Sequence, residues 1–250
     1  MSSPFLPSLC TLLLGCAPLG AGQADAFGAA NRQYQAGDYA GAAASYEQIL
    51  AADGPRAAVL YDLGNSYQRL GKYGPAILAY ERARLLTPRD PDLSANLALA
   101  RKAATAFEEP GRNPRLEAAL TYLSRNEWSW LVAGSALVLG SLALLAGVLR
   151  LPRRGLRQAA ATVAGLATLA LIAGSAALYL RRAEAQRGIV LTAAAAVRLS
   201  PFEQAEALGT PGPGRIVQFS GKTGDFYYIE VPGVNLHGWM ASRDVAAITP

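Results

Sequence analysis

The stretch "LGNSYQRLGKYGPAILAYERA", Leu63 to Ala83, decides the fold. Small and aromatic residues recur in it at helical spacing, with Leu63, Gly64 and Tyr67 before a glycine break and Ala76 and Tyr80 after it. Gly64 and Ala76 are small enough to let two helices approach closely, and Leu63, Tyr67 and Tyr80 fill the gap between them. Pro88 then stops the second helix. Moved back by 34 residues the stretch matches again, because Gly71, Tyr73, Ala76 and Tyr80 fall on Gly37, Tyr39, Ala42 and Tyr46.

Self-similarity at that period is the signature of tetratricopeptide (TPR) repeats, each a helical hairpin. The first repeat is looser: Ala30 stands at the Gly64 position, Tyr34 comes one place later than Tyr67, and Gly54–Pro55 is its break. Moved forward, Leu97 and Ala98 match Leu63 and Gly64, so Pro91 to Phe107 is expected as a lone first-type helix closing the stack. Binding in such a stack belongs to the concave face lined by the first helix of each pair. The period puts Phe27, Asn31 and Tyr34, then Tyr61, Asn65, Gln68 and Arg69, then Leu99 and Lys102 on that face. Asn31 and Asn65 are equivalent, and an amide there can bind the backbone or terminal carboxylate of an extended peptide, with Arg69 and Lys102 adding charge. The plainer alternative is an ordinary solvated groove.

Composition limits the rest. The chain has 250 residues, 52% hydrophobic and 16% charged, which is too apolar for a single soluble domain. The net charge of +5 does not gather on a soluble face. Arg150, Arg153, Arg154 and Arg157 lie between two apolar runs, and Arg181, Arg182 and Arg187 follow the second, so nucleic-acid binding is not expected. The only cysteines are Cys10 and Cys16 and the only histidine is His237. That inventory assembles no Cys/His metal site, Cys–His nucleophile or Ser–His–Asp triad, so no cofactor and no enzyme activity are expected.

Three apolar segments read differently. Phe5 to Leu19 is leucine-rich and precedes Ala24–Asp25–Ala26, an A-x-A cleavage signature, so residues 1–26 read as a secretory signal peptide. "LLGC", Leu13 to Cys16, resembles a lipoprotein processing box, and lipidation at Cys16 stays open beside cleavage after Ala26. Trp130 to Leu149 and Ala159 to Leu180 carry no charge over 20 and 22 residues, enough to cross ~30 Å of hydrocarbon. Transmembrane helices are expected over 129–149 and 159–180. The four-arginine loop 150–158 is then cytoplasmic, and both ends of the chain lie on the periplasmic side of an inner membrane. Ala136, Gly140, Ala143 and Gly147 form a stripe of small residues, to pack on the second span or to dock another membrane protein. Residues 108–128 read as a linker and a short helix, lying on the membrane surface or extending the TPR stack over 27–107.

After Arg187 short alternating runs separated by glycine and proline read as about five β-strands over 188–250. "AVRLSP" (Ala196 to Pro201), "GDFYYIEV" (Gly224 to Val231) and Gly238–Trp239 resemble a bacterial SH3-type barrel, with Phe226 where that family usually has tryptophan. Alternation puts Tyr227 and Ile229 on one face and Phe226 and Tyr228 on the other. Phe226, Tyr228 and Trp239 are the candidate ligand face. Gly209, Gly212 and Gly214 in "GTPGPGR" precede no helix, so they read as a loop and not a phosphate cradle. The expected class is multidomain α plus β: a TPR solenoid, two transmembrane helices and an all-β SH3-like barrel.

This order of parts, with "LGNSYQRLGKYGPAILAYERA" and "PDLSANLALAR" (Pro91 to Arg101), resembles the TPR–SH3 membrane proteins of bacterial aerotolerance operons, the BatE type. The resemblance implies a non-enzymatic inner-membrane component that works beside a MoxR-type ATPase and membrane proteins with von Willebrand factor A domains. An envelope sensor whose barrel binds cell-wall peptide is the other functional class left open.

Overall fold

The computed structural model describes residues 21–106, 119–148 and 154–249. Five helices come first: α1 (Ala21–Gln35), α2 (Tyr39–Asp53), α3 (Ala57–Arg69), α4 (Tyr73–Leu86) and α5 (Pro91–Ala103). They form two antiparallel hairpins and an unpaired fifth helix. At Gly64 the α3 backbone lies against the Tyr80 ring, where an added Cβ would sit 2.6 Å from Cδ1. Tyr46 and Tyr80 are buried at the same place in successive repeats, with Ala42 and Ala76 beside them. The two repeats superpose in detail: Phe27 and Tyr46 have ring centroids 6.0 Å apart, and Tyr61 and Tyr80, one period on, 6.1 Å.

Helix ends follow from local chemistry. The Asp38 carboxylate accepts from the Gly41 amide at the start of α2, and Asp90 accepts from the Asp92 and Leu93 amides ahead of Pro91 in the first turn of α5. α1 begins at Ala21, upstream of Phe27, so the A-x-A site lies within its length; residues 1–20, most of the expected signal peptide, are outside the described residues. α5 stops at Ala103, before the expected Phe107, because Thr105 turns left-handed at φ 53° and the Ala106 amide donates back to Arg101 O at 2.9 Å.

Two long helices follow, α6 (Arg125–Val148) and α7 (Arg154–Leu180). Both are long and apolar enough to cross a membrane, with spans of 22 and 27 residues and a mean hydropathy of 1.9 in an 18-residue window of each. They pack through Val132, Ser135, Gly174 and Ala177, where an added Cβ on Gly174 would come within 2.7 Å of Val132 Cγ2. The stripe of small residues does not make this contact. Ala136, Gly140 and Ala143 face outward, and nothing lies within 4 Å of an added Cβ at Gly140. Close approach comes from Gly174 of α7 beside the β-branched Val132.

Boundaries around these helices differ from the expected ones. Residues 125–128 belong to the first turn of α6 and residues 154–158 to α7, because continuing a helix satisfies backbone groups that a loop would leave open. Residues 119–122 are helical. Trp128 Nε1 donates to Leu120 O at 3.0 Å and Arg181 donates to Leu123 O at 2.9 Å, so this segment is clasped between the start of α6 and the end of α7. Residues 107–118, which include the expected linker and the start of the expected short helix, lie outside the described residues.

A 3₁₀ turn, Arg181–Gln186, leads into an antiparallel sheet of β1 (Arg187–Val190), β2 (Val197–Arg198), β3 (Ala207–Gly209), β4 (Ile216–Thr223), β5 (Phe226–Val231), β6 (Leu236–Ala241) and β7 (Val245–Ala247). The described strands number seven rather than five, in the order β3-β2-β6-β5-β4-β1-β7. The sheet is not a closed barrel, and β3 and β7 are its two ends. β2 meets β6 through one register pair, Arg198 with Trp239, too short a ladder to carry the sheet round. Its inner face buries Val190, Val197, Val217, Ile229, Val231 and Met240. Tyr227 joins this core with Ile229, and Phe226 and Tyr228 take the opposite face.

The helical repeats and the sheet share a core. Ile189 of β1 and Ile248 after β7 are buried with Leu60, Ile77, Leu93, Leu97 and Ala100. Gly74 brings α4 under the β1 backbone, where an added Cβ would lie 2.7 Å from Val190 O and nearer still to Leu191 O. Arg82 donates to Ala247 O at 2.8 Å.

Candidate functional site

The groove is built on α1 and α3, the first helix of each hairpin, and on the lone α5. Its floor is a polar network produced by the repeat. The Tyr46 hydroxyl donates to Asn31 Oδ1 at 2.5 Å, and one period later Tyr80 donates to Asn65 Oδ1 at 2.7 Å. Tyr80 also lies 2.9 Å from Gln68 Oε1. Asn96 of α5 donates to the Tyr61 hydroxyl at 2.8 Å and to Asn65 Oδ1 at 3.0 Å, which joins the second and third first-type helices. Burial raises the pKa of Tyr46 and Tyr80 well above the ordinary phenol value, so both stay protonated and keep donating.

This geometry gives the sequence-derived residues unequal roles. Phe27, Asn31, Tyr34, Tyr61, Asn65 and Gln68 are half-buried along the groove, and Leu99 and Lys102 are exposed on α5. The carbonyl oxygens of Asn31 and Asn65 are taken by tyrosine, so each amide turns to a ligand only its N–H side. Arg69 is exposed, but its guanidinium lies 5.5 Å over the Tyr39 ring and interacts with the Tyr34 hydroxyl. It closes the seam between the two repeats.

Two groove residues escaped the sequence reading, Asp62 and Asn96. They are themselves one 34-residue period apart, so the mapping that found Asn31 and Asn65 could have found them. Asp62 is half-buried, and burial raises its carboxyl pKa although Asn65 Nδ2 donates weakly to it at 3.5 Å. No cation among the described residues pairs with it.

On the sheet, the three candidate residues share the outer face. Tyr228 stands opposite Trp239 with ring centroids 5.2 Å apart, edge to face, and His237 lies 6.5 Å from Tyr228. Phe226 is on the same side but only 9% exposed, so the accessible aromatics are Tyr228 and Trp239.

A third cluster is structural. Glu81, 2% exposed, binds Arg84 at 2.8 Å and also Arg101, with Arg187 nearby. Burial alone would raise its pKa, but the three arginines overrule it and hold the carboxyl below the usual range. The adjoining cavity, bounded by Leu85, Pro88, Thr121, Arg181 and Ile248, holds about 20 Å³, room for a water molecule and not for a substrate. Here the repeats, the segment before α6, the end of α7 and the sheet all meet. Among the described residues no group of three His, Cys, Asp or Glu side chains is placed to hold a metal ion.

Comparison with curated proteins gives no match. Comparison with protein families gives one local result, in which a tetratricopeptide repeat model matches residues 33–101, the span running from the end of α1 through most of α5.

Proposed function

We propose that this protein is a non-enzymatic membrane scaffold that holds a partner protein in its TPR groove. TPR repeats generally mediate protein–protein contacts, and the observation that carries the reading is where the groove stands. Its polar floor opens away from the docked sheet, while the same repeats are tied to α6 through Arg89–Glu127 at 2.7 Å. A groove held in this way meets partners confined to the same membrane. The signal-like N-terminus and the arginine-rich sequence between the two long apolar runs support an inner-membrane position with the repeats and the sheet outside the cytoplasm. The resemblance to aerotolerance-operon proteins supports a membrane protein with a von Willebrand factor A domain as the partner, served by a MoxR-type ATPase in an envelope-stress complex.

Photo-cross-linking in intact cells tests this. A photoreactive residue replaces Leu99 in the groove or, separately, Glu203 on the sheet. The expected result is a von Willebrand-type membrane protein captured from Leu99 and not from Glu203. Capture of cell-wall peptide near Tyr228 and Trp239, with nothing from Leu99, would overturn the scaffold in favour of an envelope sensor.

A further inference from the structure

Resting on the groove as a binding surface, we infer that it recognises a cationic side chain, a lysine or arginine on an extended segment of the partner, with Asp62 as counterion. The groove floor offers acceptors in the Asp62 carboxylate, Gln68 Oε1 and the lone pairs of the Tyr61 hydroxyl, while Asn65 Oδ1 is already taken by Tyr80 and Asn96. Asp62 is withdrawn from water yet has no arginine or lysine beside it among the described residues. Its sole donor among the described residues is the Asn65 amide, at the 3.5 Å limit of a hydrogen bond. Elsewhere the fold does not leave buried carboxylates so: Glu81 has two arginines in contact. A half-buried charge without a partner is costly unless something supplies one.

The surrounding charge has the same sign. Asp90 and Asp92, at the start of α5, act with Asp62 on the Tyr61 hydroxyl. The basic residues lie at the opposite end of the parallel first-type helices: Arg69 in the last turn of α3, engaged with Tyr34 and Tyr39, and Lys102 in the last turn of α5. An incoming carboxylate set between Asn31 and Asn65 would therefore meet Asp62 before either cation. An ammonium or guanidinium there gains the carboxylate and up to two neutral acceptors, while the amide N–H groups of Asn31 and Asn65 remain for the peptide backbone.

The test is a selection of random dodecapeptides on the full chain in nanodiscs of neutral phosphatidylcholine, for wild type and for Asp62→Asn. The asparagine keeps the shape and removes the charge, and the variant should melt no lower than wild type. Wild type should enrich lysine and arginine, and the selected peptides should bind Asp62→Asn about tenfold more weakly and lose affinity as salt rises. Enrichment of acidic or uncharged peptides that still cross-link to position 99 would overturn the cation inference and leave the groove reading standing. Basic peptides that bind Asp62→Asn equally well, or no enrichment at all, would overturn the inference. Selected peptides that never label position 99 would overturn the groove reading with it.

Discussion

Gly74→Ala separates two effects that ordinarily coincide. At the second position of α4, in its first turn, alanine should stabilise the helix by less than the roughly 1 kcal/mol it gains over glycine in a helix interior. Its methyl, however, would sit 2.7 Å from Val190 O and 2.8 Å from Leu191 C, where ordinary contact begins at 3.4 Å. The obstacles are backbone atoms of a paired strand, which cannot swing aside as a side chain can. Either β1 retreats by more than roughly 0.7 Å, taking Ile189 out of its place in the shared core, or the sheet detaches from α4. Overpacking of this kind costs about 1–3 kcal/mol, so docking should weaken by up to about a hundredfold while the repeats themselves tighten. The assay is a spin–spin distance distribution between labels at Arg56→Cys and Lys222→Cys, with Cys10 and Cys16 changed to serine. Wild type should give a narrow distribution and Gly74→Ala a broad one, with helix content unchanged. A variant that is more stable and keeps the narrow distribution would show that α4 does not carry the sheet.

Two further substitutions probe the interior. Tyr80→Phe removes the hydroxyl held by Asn65 and Gln68 and should cost about 1–2 kcal/mol in chemical unfolding; Tyr46→Phe, which strips the single bond to Asn31, should cost less. Glu81→Gln should cost about 3 kcal/mol at neutral pH, the low end for breaking a buried ion pair, because Arg84 keeps 26% of its side chain exposed. Since the folded-state pKa of Glu81 is depressed, the stability it contributes is present at neutral pH. That contribution is lost as the pH falls through the ordinary carboxylate value of about 4.3 and on through the lower folded value. Unfolding curves measured between pH 7 and pH 3 should therefore converge for wild type and variant at the acid end.

How much of this was legible depended on the range of the interaction. The hairpins were readable because each is decided within one period: Gly64 against Tyr80, Ala42 beside Tyr46, and aspartates at the N-caps of α2 and α5. The apolar helices were readable from length alone, but not the face by which they pack, since Val132 against Gly174 is a choice between equally apolar surfaces. Groove membership followed from the period, whereas the use of each side chain did not. Asn31 and Asn65 have tyrosine partners on the following helix, 15 residues on, and no local pattern reports that. The docking of the sheet was invisible, because Gly74 meets the backbone of Val190 and Leu191 across three intervening helices, α5, α6 and α7.

That docking also answers a problem set by the repeat count. A TPR hairpin cannot bury its hydrophobic face alone, and about three repeats are needed for a stable stack. This chain has two and a lone α5, whose Leu93, Leu97 and Ala100 would face water on the side where a sixth helix should pack. In the structure those three residues share a cluster with Ile189 and Ile248, so β1 and the end of the sheet stand where the second helix of a third repeat would be. The sheet is therefore part of the repeat core as well as a possible binding module. Loss of its docking should loosen α5 first, and with α5 the Asn96 bridge to Tyr61 and Asn65 that shapes the groove. A sequence change in β1, far from any groove residue, should then weaken partner binding. A groove whose affinity ignored the state of the sheet would mean that the two-repeat stack is stable without it.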